Sequence, residues 1–285
     1  MWNAECGMKN FALRTSHSAL HILAMCYLKV LGIFYKAAIL TDLEYRANFV
    51  TNVLMSIVAA FATVLTMGIF FEHTTTIGGW SFYEALVVVG LFQLFLGMVD
   101  TFITPNVRDF TEHLRLGTMD FILTKPLNSQ FHATLRRVNV WRSVDMLIGA
   151  GVILYALNHL GAALTPDRWA MFFALLVCAA IILYSLIMLL ITSAFWFVQL
   201  ENVMELLFTF YEAGRFPVSV FPAWLRAILT FVVPIAFITT VPAAVIIGRL
   251  NAEFVLLAVI VTAAVFAACA AFWRFAVRHY SSASS

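Results

Sequence analysis

The sequence predicts an all-α polytopic membrane protein with six transmembrane helices in a single membrane domain over residues 1–285. Three observations carry that expectation. Hydrophobic residues make up 63% of the chain and charged residues 11%, against about 45–50% and about 25% in soluble domains. Apolar stretches with little or no charge recur at about the 20-residue length a helix needs to cross a bilayer. Lys and Arg gather in three segments, as the positive-inside rule expects of cytoplasmic regions.

The elements follow in chain order. Residues 1–18 read as a polar tail. In residues 19–46, Leu20, Leu23, Tyr27, Val30, Leu31 and Phe34 alternate with His21, Lys29, Lys36, Asp42, Glu44 and Arg46. That spacing predicts a helix lying in the membrane surface, so 1–48 is a tail plus an interfacial helix. A first crossing over 22–40 would bury Lys29 and Lys36, at about 3 kcal/mol for each charge at mid-bilayer. Residues 49–71 are the first charge-free span, and 72–79 a polar turn. The second span, 83–104, carries only Glu84, and Pro105 is expected to stop it. A charged region, 105–143, follows. The third span covers 144–164, and Thr165-Pro166-Asp167-Arg168 forms a turn with Pro166 at a first helical position.

Residues 169–211 are too long for one crossing. In one reading a single span ends near Val198, leaving Glu201, Glu205, Glu212 and Arg215 in the cytoplasm. In the other the chain turns near Thr192 and Ser193, and a fifth span carries Gln199, Glu201, Asn202 and Glu205. The region 216–250 holds Pro217, Pro222, Pro234 and Pro242, which predicts broken or re-entrant helices. The last span is 254–275. Either reading gives six crossings with both ends on one side. Of the 17 Lys and Arg, all but Arg168, Arg215, Arg226 and Arg249 fall in the leading segment, the 105–143 region or the tail. These three segments are therefore expected in the cytoplasm.

The stretch 108–127 is an amphipathic island. Arg108, Glu112 and Arg115 are spaced for intrahelical pairs. Phe110, Leu114 and Phe121 form an apolar ridge suited to a partner's groove. Gly117 is a natural helix stop, Asp120 caps a second short helix, and Lys125-Pro126 ends it. An ordinary solvated loop would explain the same residues. If Glu201, Asn202 and Glu205 lie within the membrane, they face a cavity and are pathway candidates. Trp196, with Phe195, Phe197, Phe208 and Phe210, could line that pathway for apolar or flat cationic compounds, although packing against lipid explains aromatic residues equally. Ala263, Ala267 and Ala271, with Ala264 and Ala268, permit close helix contact.

Several functions are excluded. No Gly-rich phosphate loop is present, so any ATP hydrolysis belongs to another chain. Cys6, Cys26, Cys178 and Cys269 are far apart and are expected to be reduced. His17 and His21 are spaced like a metal pair but lack a third ligand, so no metal site is expected. The net charge of +2 gives no reason to expect a nucleic-acid partner, and the first 30 residues do not read as a cleaved signal peptide.

Matching stretches run along the chain. They include Leu43-Glu44-Tyr45-Arg46-Ala47-Asn48-Phe49, Gly79-Trp80-Ser81, and Arg115-Leu116-Gly117-Thr118-Met119-Asp120 continuing to Lys125-Pro126-Leu127. Further along are Phe221-Pro222-Ala223-Trp224-Leu225-Arg226, Val241-Pro242-Ala243 and Arg278-His279-Tyr280-Ser281-Ser282-Ala283. In this order they resemble the permease subunits of ABC-type exporters, in the type-two exporter superfamily, and most of all its viologen-exporter-like group. Thr118 and His279 depart from that pattern. The resemblance implies an elbow helix, a coupling helix between spans two and three, and re-entrant outer helices before span six. It favours the reading with a turn near Thr192. It implies a bacterial inner-membrane subunit that pairs with a second permease, the same or different. Two copies of a separate ATPase would carry ATP and Mg; no cofactor is expected on this chain. The competing expectations are a membrane-embedded lipid-modifying enzyme, for which no paired acid and histidine are found, and an ion channel, for which no filter is found.

Overall fold

The computed structural model describes residues 32, 35–36, 46–115, 137–161, 165–193, 195–196, 200–250 and 252–279. Among them the secondary structure is helical apart from one isolated bridge between Ile77 and Trp80. The helices are α1 (Arg46–Glu72), α2 (Phe82–Met98), α3 (Thr104–Arg115), α4 (Ser143–Leu160), α5 (Pro166–Ser193), α6 (Leu200–Ala213), α7 (Ala223–Ala227), α8 (Thr240–Ile246) and α9 (Ala252–His279). Five stretches are long and apolar enough to cross a membrane: Val50–Glu72, Phe82–Val107, Val140–Leu160, Pro166–Ser193 and Glu253–His279. A bent pair, Ala223–Val232 with Ile235–Ile246, raises the number to six if it counts as one crossing, and its bend is 73°.

The chain divides into two compact units. One comprises residues 1–52, 99–143 and 281–285, the other residues 53–98 and 144–280. In the second unit α2 lies at the centre. Leu86, Val87, Val88, Leu91, Phe92 and Phe95 are almost wholly buried. Helix α4 crosses α2 at a point where only glycine fits. A Cβ on Gly149 would lie 2.5 Å from the Leu94 nitrogen, and one on Gly97 would lie 2.6 Å from the Met146 nitrogen.

Helices α5 and α9 run parallel. At their first ends Arg168 abuts Gly248, where a Cβ would lie 2.8 Å from the arginine Cζ. At their other ends Trp196, just past α5, stacks on Phe272 and Phe275 in the last turns of α9 at 5.5 and 5.9 Å. The segment between them must therefore carry the chain back along their length. Helix α5 ends at Ser193 and a turn follows at Phe195 and Trp196, where the second reading of 169–211 turns the chain. From there α6 climbs. The Tyr211 hydroxyl donates to the Phe92 carbonyl at 3.0 Å. The Phe216 ring reaches 6.4 Å from Phe70, near the end of α1. The Ser219 hydroxyl donates to the Gly78 carbonyl in the 73–81 loop at 2.8 Å.

The bent pair then begins and ends on that same loop and the start of α2. Arg226, in α7, donates to the carbonyls of Ser219 and Phe221. Ile235, at the bend, packs on Gly214. Arg249, just past α8, pairs with Glu84. Gly78 has φ +58°, and a Cβ there would strike Ser219 and Val220 at 2.9 Å. This position therefore needs glycine for both conformation and space.

Two expectations need correction. Pro105 does not stop the second helix. The chain runs on through a π turn, Val99–Ile103, into α3, with Pro105 in its first turn. Phe110 is 2% exposed and buried within its own chain, so it is not free to enter a partner's groove. The face of α9 that buries holds Ala258, Thr262, Cys269, Trp273 and Ala276, while Ala263, Ala264, Ala267, Ala268 and Ala271 stand exposed.

Candidate functional site at the root of the 105–143 region

Residues 137–139 return from the charged region without regular structure, so their backbone polar groups need partners from elsewhere. Helix α3 and the π turn before it supply them. In an α-helix the Thr101 carbonyl would accept from the N–H of residue 105, and Pro105 has none. That carbonyl instead accepts from Asn139 N–H at 2.9 Å. One turn on, Asn106 is 2% exposed. Its Oδ1 accepts from Arg137 N–H at 2.7 Å, and its Nδ2 donates to the carbonyls of Arg137 and Phe102 at 2.6 Å each. The side-chain amide thus offers Arg137 both bonds that a neighbouring strand would offer.

Charges reinforce the clamp. Asp109 pairs with the Arg137 guanidinium at 2.8 Å and with His113 at 3.7 Å. Asp100 accepts from the Thr104 hydroxyl at 3.1 Å and lies 3.8 Å from Arg142. The Tyr35 ring lies 6.1 Å from Phe102, which brings a residue of the leading segment to the same root. The result is a polar helix joined end to end to an apolar one, with its returning chain fastened back on it.

The residues singled out in the sequence fall around this root. Arg108, Glu112 and Arg115 stand on α3, and Glu112 is exposed. Gly117, Asp120, Lys125 and Pro126 lie outside the described residues. Glu201, Asn202 and Glu205 stand on the first turns of α6. Trp196 is 46% exposed and lies against the last turns of α9, where an amphipathic ring suits a membrane–water boundary.

Sequence reasoning missed Asn106 and Asp109. The Asp109 to His113 spacing was a signal for the second; nothing local marks the first. It also passed over Asp145, which is 4% exposed in the first turn of α4 and accepts from Gln93 Nε2 at 3.2 Å. A further cluster lies where α6 meets α2. The Arg215 guanidinium sits 5.0 Å above the Phe92 ring and pairs with Glu212 at 2.8 Å. Tyr211 stacks on Phe92 at 4.9 Å. Tyr211→Phe keeps the stack and removes the hydroxyl bond to the Phe92 carbonyl. It should lower stability by about 1 kcal/mol, read as a lower melting temperature of the purified protein in detergent.

The fold and this root define a multi-pass membrane protein whose second apolar stretch continues into a polar helix. A family model described as "ABC-2 family transporter protein" matches residues 57–284. The chain belongs to the ABC-2 transporter family and is a membrane component of transport. Membrane proteins of this family generally partner with ABC ATPases. No curated protein and no solved structure matches the chain.

Proposed function

We propose that this chain is the permease subunit of an ATP-driven ABC exporter of the viologen-exporter-like group, set in a bacterial inner membrane with both termini in the cytoplasm. It pairs with a second permease, the same or different, and carries an amphipathic or cationic compound outward. The 108–127 stretch is the coupling element, held by a separate ATPase that binds ATP and Mg. Arg108, Glu112, Arg115, Gly117, Asp120, Lys125 and Pro126 form its contact. Glu201, Asn202, Glu205 and Trp196 belong to the pathway, and residues 1–48 include the elbow helix. The 216–250 region is a re-entrant hairpin, a reading supported by the return of both its ends to the Gly78 loop and Glu84.

The observation that carries the proposal is the fastened root. A solvated loop has no need for a side-chain amide that is 2% exposed and makes three hydrogen bonds. An element that receives force does. Arg115→Glu, and separately Asp120→Lys, should leave expression intact while the ATPase no longer drives transport. Wild-type transport by both variants at wild-type expression would remove the coupling role.

A further inference from the structure

We propose that Asn106 is the positioning residue of energy coupling: it makes residues 137–139 move as one body with α3 and the π turn that leads into it. This rests on the coupling role proposed above and adds to it a specific transmitting joint. A push on the stretch 108–127 reaches the π turn only if α3 and residues 137–139 do not slide past each other. One arm is α3. The other, residues 137–139, bonds at four places, three on α3 and one on the π turn. The Arg137 N–H and C=O are held by Asn106, the Asn139 N–H by the Thr101 carbonyl, and the Arg137 guanidinium by Asp109.

These four links are not equal. The Asp109 pair is 60% exposed on the arginine side, and exposed pairs hold weakly. The Asn106 side chain is 2% exposed and its bonds to Arg137 are part-buried, so losing them leaves polar groups at a site water reaches poorly. Asn106 therefore dominates. The π turn at Val99–Ile103 is the compliant part. π turns interrupt the regular ladder of a helix and concentrate at functional sites. A stiff lever ending in a compliant turn converts a displacement at residues 108–127 into a bend at 99–103. Without the clamp the lever itself would yield.

The test uses the whole complex, purified with its ATPase and reconstituted in lipid vesicles. A reporter cysteine replaces Ser219 in a background without native cysteines, and its labelling rate by a maleimide is read with and without ATP and vanadate. The permease carrying Asn106 should show a several-fold rate ratio between the two states. In Asn106→Leu, which keeps size and removes hydrogen bonding, the ratio should collapse to about one, because the coupling free energy is lost. ATP hydrolysis and ATPase retention should stay near wild type. A residue needed only for folding would instead lower yield and ATPase retention and leave the ratio unchanged in the protein that assembles.

Asn106→Leu with a wild-type ratio overturns the inference and leaves the coupling role standing. No nucleotide response in the Asn106 protein, or no associated ATPase, overturns both. If Asn106→Leu fails to assemble, Asn106→Ala decides. It removes the same amide without setting a larger apolar side chain against Arg137. A reduced ratio supports the clamp, and an unchanged one overturns it.

Discussion

Gly149→Ala should cost the protein about 3 kcal/mol or more, and Gly151→Ala should cost nothing. The two glycines lie two residues apart on α4, and their surroundings differ completely. A Cβ on Gly149 would lie 2.5 Å from the Leu94 nitrogen, 2.7 Å from the Gly90 oxygen and 2.8 Å from the Leu94 Cα. All three obstacles are backbone, so no side chain can swing aside and the helices must separate. At Gly151 a Cβ meets nothing within 4 Å, and alanine gains up to about 1 kcal/mol of helix propensity over glycine. Melting temperature and the monodisperse fraction after extraction should therefore move in opposite directions. Equal behaviour of the two variants would mean that α2 and α4 do not cross this closely.

The second large effect is expected at the pair that closes the 73–81 loop onto the chain before α9. Glu84 takes two bonds from Arg249, Nε to Oε1 at 3.0 Å and Nη2 to Oε2 at 2.6 Å. It takes two more from the Ser81 N–H and hydroxyl, at 2.8 and 2.9 Å. The Arg249 guanidinium also lies 4.9 Å above the Trp80 ring. Bidentate charge-assisted bonds are the strong ones, and the arginine's 39% exposure puts Glu84→Ala at about 1–2 kcal/mol rather than the 3 of a buried bond. Glu84→Arg should be worse, because it sets two guanidinium groups together. The double exchange Glu84→Arg with Arg249→Glu should recover only part of the loss. The Ser81 donors suit a carboxylate at 84, and the Trp80 face suits a cation at 249. Full recovery in thermal unfolding would show that the Ser81 and Trp80 contacts contribute nothing.

The long apolar helices were legible. The charge-free run 49–71 is α1 within a few residues, and 144–164 and 254–275 correspond to α4 and α9. In each, hydropathy and length alone determine the outcome. The polar helix was legible from charge spacing, but its start was not. A rule that treats proline as a stop could not foresee that the carbonyl freed by Pro105 would be claimed by Asn139. Phe110 was misassigned for a similar reason: an apolar residue on a helix face signals burial without saying whose atoms bury it. The alanine stripe of α9 shows the same ambiguity, since small residues permit close contact and do not compel it. The pairs Glu84 with Arg249 and Tyr211 with Phe92 join residues 165 and 119 positions apart. No local pattern in one chain encodes such a meeting. The turn between α5 and α6 lay between the two. Length showed that 169–211 had to break somewhere, and only the stacking of Trp196 on α9 shows on which side the break falls.

Among its described side chains, α1 buries only Ser56 and Met67, while Leu54, Met55, Val58, Phe61, Leu65 and Ile69 stand at least half exposed. Such a helix draws little cohesion from its own polypeptide and owes its seat to the surrounding acyl chains. During solubilisation it will be the first crossing to work loose. Retained annular lipid, more than detergent chemistry, will then decide whether a preparation stays intact.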